Sequence, residues 1–200
     1  MNNVPNLLLA AGASRRMGTP KQLLPWNGKT LIEHQIETLL ENDQEVYVVL
    51  GAHAERILPV LKPYPVNPII FDQWSLGMGN TIAFSVAYLI KKQPSLDGIL
   101  IALIDQPLVD TSHYNALLDA FQKEEQQLIV SVSDQGWEGV PVLFDKYYFP
   151  GLLNLKGEQG AKKIIQSTKK SITKRNAGPL LVDMDTPEVY TALYKKFNPQ

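Results

Sequence analysis

Three cations, Arg15, Arg16 and Lys21, fall within seven residues. They follow directly on four small residues, Ala10-Ala11-Gly12-Ala13, and a serine, Ser14. Small side chains let a backbone come close to a ligand. Successive N–H groups in such a turn, with the Ser14 hydroxyl, can cradle phosphate oxygens. Arginine and lysine then supply fixed charge for a triphosphate. An exposed basic turn would need the cations but not the small run, so phosphate binding is the better expectation for residues 9–25.

A second candidate is Asp105. The apolar stretch 98–104 ends abruptly in Asp105-Gln106-Pro107. A lone aspartate after a strand often serves a turn. A polyphosphate site, however, calls for Mg²⁺, which is held by one or two carboxylates together with phosphate oxygens. Metal ligation is therefore expected of Asp105. A third candidate is the pair Asp183 and Asp185, which alternate along a segment read as extended, so their side chains point the same way. One of them completes the metal sphere, or Asp185 merely begins the last helix; the sequence leaves that choice open.

Other motifs carry less. Gly28-Lys29-Thr30 lacks the earlier glycine of a P-loop, since Leu23 stands there. Gly77-Met78-Gly79 has Ile82 at the third glycine position of a dinucleotide fingerprint. Ser14 lacks the second flanking glycine of a nucleophile elbow. His34, His53 and His113 are too scattered for a metal site.

Elements must bring these groups together. Apolar runs at 4–10, 45–50, 68–71, 98–103, 128–132, 140–144 and 180–182 read as strands, several buried on both faces. Helical stripes at 30–40, 81–90, 111–121 and 186–197 lie between and after them. Asp110 or Thr111 is the expected cap of the third, and Thr186-Pro187 starts the fourth. This alternation predicts a three-layer α/β fold with right-handed crossovers and a mostly parallel sheet. Ligands of such sheets bind beyond the carboxyl ends of the strands, where residues 9–25 and Asp105 belong.

The chain has 200 residues and a net charge of −1, which suits one domain without a basic nucleic-acid surface. Residues 1–121 are read as the nucleotide-binding half and 122–200 as the acceptor half with a C-terminal helix. No run of apolar residues is long enough for a membrane span, and no secretory signal is expected at the N-terminus. The absence of cysteine excludes disulfides, thiolate metal sites and a cysteine nucleophile. A cytoplasmic location is expected. The basic stretch 169–175 reads as a solvated surface.

Taken in order and spacing, Leu9-Ala10-Ala11-Gly12, Asp105-Gln106-Pro107 and Asp183-Met184-Asp185-Thr186-Pro187-Glu188 resemble the MobA-like NTP transferase family. The Ala-Ala-Gly opening is most similar to the branch of molybdenum cofactor cytidylyltransferases. Gly77-Met78-Gly79-Asn80-Thr81 is similar to the family's loop near base and ribose. Gly139-Val140-Pro141 and Gly157-Glu158-Gln159-Gly160-Ala161-Lys162 resemble its acceptor motifs. The chain departs from the family pattern in carrying Val140 for His, Glu158 for Asp, Lys162 for Arg and Ile104 for a small residue.

The resemblance implies a Rossmann-like nucleotidyltransferase fold and transfer of a nucleoside monophosphate, CMP from CTP, to the phosphate of molybdopterin. A molybdoenzyme apoprotein is a further implied partner. Lys21, Arg15 and Asp105 are the expected catalytic residues, and Asp105 with Asp185 the Mg²⁺ ligands. Leu9, Ala10, Ala11, Gly12, Ala13, Ser14, Arg16, Lys21 and Gly77, Met78, Gly79, Asn80, Thr81 are expected to bind nucleotide. Gln106, Pro107, Gly139, Pro141, Gly160 and Lys162 are expected to bind the acceptor. The competing expectations are transfer to a sugar phosphate, and a non-catalytic protein that binds and delivers a cofactor.

Overall fold

The structure is a computed structural model and describes residues 2–168 and 172–197. The chain begins with β1 (Asn6–Leu9), a two-stranded hairpin of β2 (Pro25–Trp26) and β3 (Lys29–Thr30), α1 (Leu31–Leu40) and β4 (Val46–Leu50). Next come α2 (Ala54–Leu61), β5 (Asn67–Ile70), α3 (Met78–Lys92), β6 (Gly98–Leu103) and α4 (Thr111–Asp119). The remainder is β7 (Leu128–Ser133), β8 (Glu138–Asp145), α5 (Phe149–Leu153), α6 (Lys162–Ser167), β9 (Thr173–Gly178) and α7 (Pro187–Phe197).

Seven strands join one sheet in the order β5-β4-β1-β6-β8-β7-β9. β5, β4, β1 and β6 are parallel, β8 runs antiparallel to both β6 and β7, and β9 is parallel to β7. Period-two alternation sends Leu7, Leu9, Tyr47, Val49, Ile99 and Ile101 to one face, against Ile82, Val86 and Leu89 of α3. Leu8, Val48, Leu100 and Ala102 face the other way, against α1, α2 and α4. Burial on both faces is why these strands are apolar throughout. The chain steps outward from β1 to β4 and β5, then returns to β6 on the other side of β1. That reversal opens a crevice beyond the carboxyl ends of β1 and β6, where α/β sheets bind ligands.

Helix starts follow side-chain chemistry. Thr30 caps α1 in a reciprocal box with Glu33. Asp110 caps α4 by accepting from the His113 N–H at 2.8 Å. Thr186 Oγ1 accepts from Val189 N–H at 3.4 Å, so Thr186, not Asp185, caps α7.

Two expectations are corrected. Residues 180–182 are not a strand: Pro179 has no N–H to give a ladder, and the Leu180 and Val182 amides close tight turns onto Ala177 and Leu180. Leu180 and Leu181 instead pack on the core from a loop. The strand at that edge is β9, hidden in the polar sequence Thr-Lys-Arg-Asn-Ala-Gly because an edge strand buries little, here Ala177. Helix α3 also starts at Met78 rather than Thr81, which turns most of an expected loop into a first helical turn. Of the basic stretch, Lys169, Lys170 and Ser171 lie outside the described residues.

His113 and His34 lock the packing of α4 and α1. His113 Nε2 meets Ser131 Oγ at 2.7 Å, and His34 Nε2 meets the Pro107 carbonyl oxygen at 3.0 Å. Burial, opposed by nearby acceptors and acids, holds both imidazoles below the ordinary value of 6.5. A depressed folded pKa lends stability that is present above 6.5 and lost as pH falls through the folded value. The melting temperature should therefore drop as pH falls below 6.5, and His113→Gln should flatten that drop in a pH series of thermal melts.

Candidate active site

The crevice is a cleft of about 430 Å³. Leu9, Ala11, Gly12, Ala13, Ser14, Arg15, Arg16 and Lys21 line one side, and Leu103, Ile104, Asp105 and Asp185 another. Met17, Gln22, Trp74, Ser75, Gly77, Met78, Thr81 and Glu158 complete the lining. Ala10 is the exception in the first loop: it is buried in the core rather than in the lining.

The loop after β1 turns through Ser14, whose φ of 52° is left-handed. Among the described residues, the amides of Gly12, Ala13, Ser14, Arg15 and Arg16 meet no acceptor in the protein. A concave run of free amides is an anion site. The Ser14 hydroxyl accepts from the Lys21 N–H at 3.0 Å, so its acceptor capacity already serves the loop.

Lys21 stands between two carboxylates. Its Nζ lies 3.0 Å from Asp105 Oδ2 and 2.7 Å from Asp185 Oδ1. Arg16 holds the other oxygen of Asp185 at 2.8 Å. Asp185 reaches this place because Met184 is fully buried and its N–H donates to the Asp105 carbonyl oxygen at 2.7 Å. Asp183 turns to Gln106 instead, accepting from Nε2 at 2.9 Å. The two aspartates therefore do not share one direction, because the segment is a series of turns.

Charge follows from these contacts. Burial pulls the Lys21 ammonium down, but Asp105 and Asp185 together outweigh it and keep its pKa above the ordinary lysine value. Burial dominates at Asp105 and raises it; Lys21 opposes, while Asp183 and Asp185 add like charge. Asp185 is less buried, and Lys21 and Arg16 hold it below the ordinary carboxylate value.

A divalent cation fits this donor set. Asp105 Oδ1 is buried with no hydrogen-bond partner, an orphaned acceptor beside the cleft. Among the described residues, no three histidine, cysteine, aspartate or glutamate side chains gather as a ready metal cage. A cation here must take most of its ligands from a phosphate-bearing substrate and water, as Mg²⁺ does.

The remaining expected residues are spread out. Gly79 and Asn80 turn to a neighbouring loop: Gly79 N–H donates to the Gly157 carbonyl oxygen at 2.8 Å, and Asn80 Oδ1 accepts from Gly157 N–H at 2.7 Å. Gln106 is fully buried, and Pro107 lines a separate groove beside α1 and α7. Gly139 sits under the Trp137 ring, Pro141 accepts from Ser131 Oγ at 2.6 Å, Gly160 lies by the Met78 sulfur, and Lys162 is exposed on α6. None of these six lines the cleft.

Gly77 cannot carry a side chain. Its φ is 100°, and a Cβ there would meet the Gly157 carbonyl carbon and oxygen at 2.5 Å. Gly77→Ala should cost about 1–3 kcal/mol in backbone strain and loosen the wall that carries Glu158. Thermal melts with a nucleotide titration would register both effects.

Sequence reasoning missed Gln22 and His53. Gln22 is buried and its Nε2 donates to the carbonyl oxygens of Ala10, at 2.7 Å, and Gly12, at 3.1 Å. His53 Nε2 lies 3.2 Å from the Ala13 carbonyl oxygen. Gln22 stands close to the loop in sequence, but His53 lies 40 residues beyond Ala13, where no spacing marks it.

A family model described as the MobA-like NTP transferase domain matches residues 6–172. The chain belongs to the MobA-like NTP transferase family. It has that family's α/β fold over residues 6–172. Purine catabolism protein PucB of Bacillus subtilis strain 168 is 32% identical over 199 residues, covering 92% of each chain. Nicotine blue oxidoreductase of Paenarthrobacter nicotinovorans is 38% identical over 117 residues, covering 58% of this chain and 55% of that one. The chain thus spans about half the length of that relative. A probable molybdenum cofactor guanylyltransferase of Bacillus cereus strain AH187 is 36% identical over 129 residues, covering 64% of this chain and 62% of that one. Rv0371c of Mycobacterium tuberculosis H37Rv has the same fold, with a TM-score of 0.85, 24% identity and coverage of 96% and 97%; it is also solved as a complex with manganese. Among the described residues, no helix is long and apolar enough to cross a membrane.

Proposed function

We propose that this family member transfers a nucleoside monophosphate, CMP from CTP, to the phosphate of molybdopterin and releases pyrophosphate. One observation carries the reading: residues 12–16, whose amides meet no acceptor in the protein, line the same cleft at the strand reversal as the Lys21–Asp105–Asp185 cluster. The acceptor follows the resemblance and the relative named as a guanylyltransferase for molybdenum cofactor. Cytosine follows the resemblance of the Leu9-Ala10-Ala11-Gly12 opening to the cytidylyltransferase branch, and Ala11 lines the cleft.

An acceptor phosphate is anionic near neutral pH, so no strong general base is needed. One of its oxygens attacks the α-phosphorus of the nucleotide. The bond from that phosphorus to the bridging oxygen breaks, and pyrophosphate leaves with the electron pair. The amides of residues 12–16 hold phosphate oxygens in place. Lys21 with Arg15 or Arg16 balances charge building on the leaving group. Asp105 and Asp185 are the residues to hold Mg²⁺, which when bound supplies Lewis-acid stabilisation to the phosphate oxygens. Gly77, Met78 and Thr81 border the base and ribose. The acceptor roles of Gln106, Pro107, Gly139, Pro141, Gly160 and Lys162 require movement toward the cleft or action at a distance from it.

The test is pyrophosphate release from each of the four nucleoside triphosphates with Mg²⁺ or Mn²⁺, against molybdopterin and a panel of sugar phosphates. CTP with molybdopterin is the expected pair. Preference for GTP removes the base assignment, and turnover with a sugar phosphate removes the acceptor. Binding of CTP with no pyrophosphate under any acceptor marks a cofactor-delivering protein. Redox turnover without pyrophosphate release contradicts the whole reading and aligns the chain with the relative named an oxidoreductase.

A further inference from the structure

The free amides of residues 12–16 belong to residues that line the cleft, and a loop of small residues does not fix its own peptide planes. What fixes them is the set of bonds made by the preceding carbonyls. In a trans peptide, the carbonyl of one residue and the N–H of the next point in opposite directions. Whatever fixes the carbonyl therefore aims the following amide.

Four successive carbonyls are fixed by donors from two other segments of the chain. The Ala10 and Gly12 oxygens accept from the single Gln22 Nε2, at 2.7 and 3.1 Å. The Ala11 oxygen accepts from the Ala52 N–H at 3.1 Å. The Ala13 oxygen faces His53 Nε2 at 3.2 Å, a contact that requires the proton on that nitrogen. Each following amide, of Ala11, Gly12, Ala13 and Ser14, is thereby turned away from the donor that holds the carbonyl before it. Gln22 is only 1% exposed, so its two bonds are shielded from competing water.

We propose that Gln22 and His53 are positioning residues that aim the loop amides at the phosphates of the nucleotide by holding the carbonyls that precede those amides. The inference rests on the nucleotide-binding reading above and adds two residues to it. Their carboxamide and imidazole do for the peptide planes what outer hydrogen bonds do for metal ligands: they fix orientation before the ligand arrives.

The test uses the full chain and inorganic tripolyphosphate with Mg²⁺ as the probe, titrated calorimetrically. Gln22→Met removes both hydrogen bonds at similar volume. His53→Phe removes the second support, and His53→Gln returns a donor. Gln22→Met and His53→Phe should weaken tripolyphosphate binding, up to about 10²-fold for the first, and His53→Gln should recover most of the loss. In turnover, KM for the nucleoside triphosphate should rise while KM for the acceptor stays put. A general structural role would move both constants together and would not distinguish His53→Gln from His53→Phe. If Gln22→Met fails to fold, the His53 pair decides alone. Wild-type affinity in folded variants overturns the proposal. No tripolyphosphate binding by the wild-type protein instead overturns the reading on which it rests.

Discussion

Asp105→Asn should cut pyrophosphate release by about 10²–10³-fold and at the same time raise the melting temperature of the ligand-free protein. Both effects come from one carboxylate. Oδ2 is paired with Lys21 at 3.0 Å, while Oδ1 is buried without a partner. A buried, half-satisfied carboxylate beside Asp183 and Asp185 is expensive to keep ionised, which is why burial raises its pKa despite Lys21. A raised folded pKa gives stability below the unfolded value, 3.8, and takes it away as pH rises through the folded value. At neutral pH the ionised group is thus a cost that asparagine removes, and the gain in melting temperature should shrink toward acid. Stability given up at a site is expected where function needs charge. A pyrophosphate assay and a pH series of thermal melts check the pair. Retained turnover contradicts the metal role, and a lower melting temperature contradicts the dominance of burial.

Lys21→Met should have the second large effect, with turnover again down by about 10²–10³-fold. Here stability should fall instead. The ammonium joins Asp105 and Asp185, and its side chain is only 10% exposed. Without it the acids face one another, at a cost near the low end of about 3–5 kcal/mol for a broken buried pair, since Asp185 keeps access to water. Lys21 also occupies the carboxylates that a divalent cation would need. Mn²⁺ added without nucleotide should therefore bind the variant more tightly than the wild-type protein. Electron paramagnetic resonance of free Mn²⁺ measures this without turnover, and unchanged or weaker binding would show that Lys21 does not compete for the acids.

The parallel half of the fold could be read from the sequence because it is buried on both faces. Strands β1, β4 and β6 and helices α1 and α4 announce themselves through apolar runs, the Thr30–Glu33 box and the Asp110 cap. The other half could not. β9 buries little beyond Ala177, and α5 and α6 are too short for a clear 3.6-residue stripe. Residues 180–182 misled because apolar side chains packing from a turn look like those packing from a strand.

The site divides along the same line. Arg15, Lys21 and Asp105 stand out because their charges end apolar strands or follow small residues. Residue spacing alone leaves Asp183 and Asp185 level, and only the resemblance favours Asp185; its place beside Lys21 depends on Met184 plugging into the core and on its bond to the Asp105 carbonyl. Gln22 and His53 act through backbone oxygens, and no spacing rule marks a side chain that binds a carbonyl in another element. Gly79 and Asn80 resemble ligand-binding residues by motif but spend their hydrogen bonds on the loop at Gly157.

Calorimetric titration of CTP, GTP, ATP and UTP, each with and without Mg²⁺, probes the shared cleft of Lys21 and Asp105 most directly. The expected result is Mg²⁺-dependent binding, tightest for CTP, and greatly weakened in both Lys21→Met and Asp105→Asn. Binding of no triphosphate in the presence of Mg²⁺, or binding indifferent to both substitutions, would contradict a metal–triphosphate seated between the loop after β1 and the acidic end of β6.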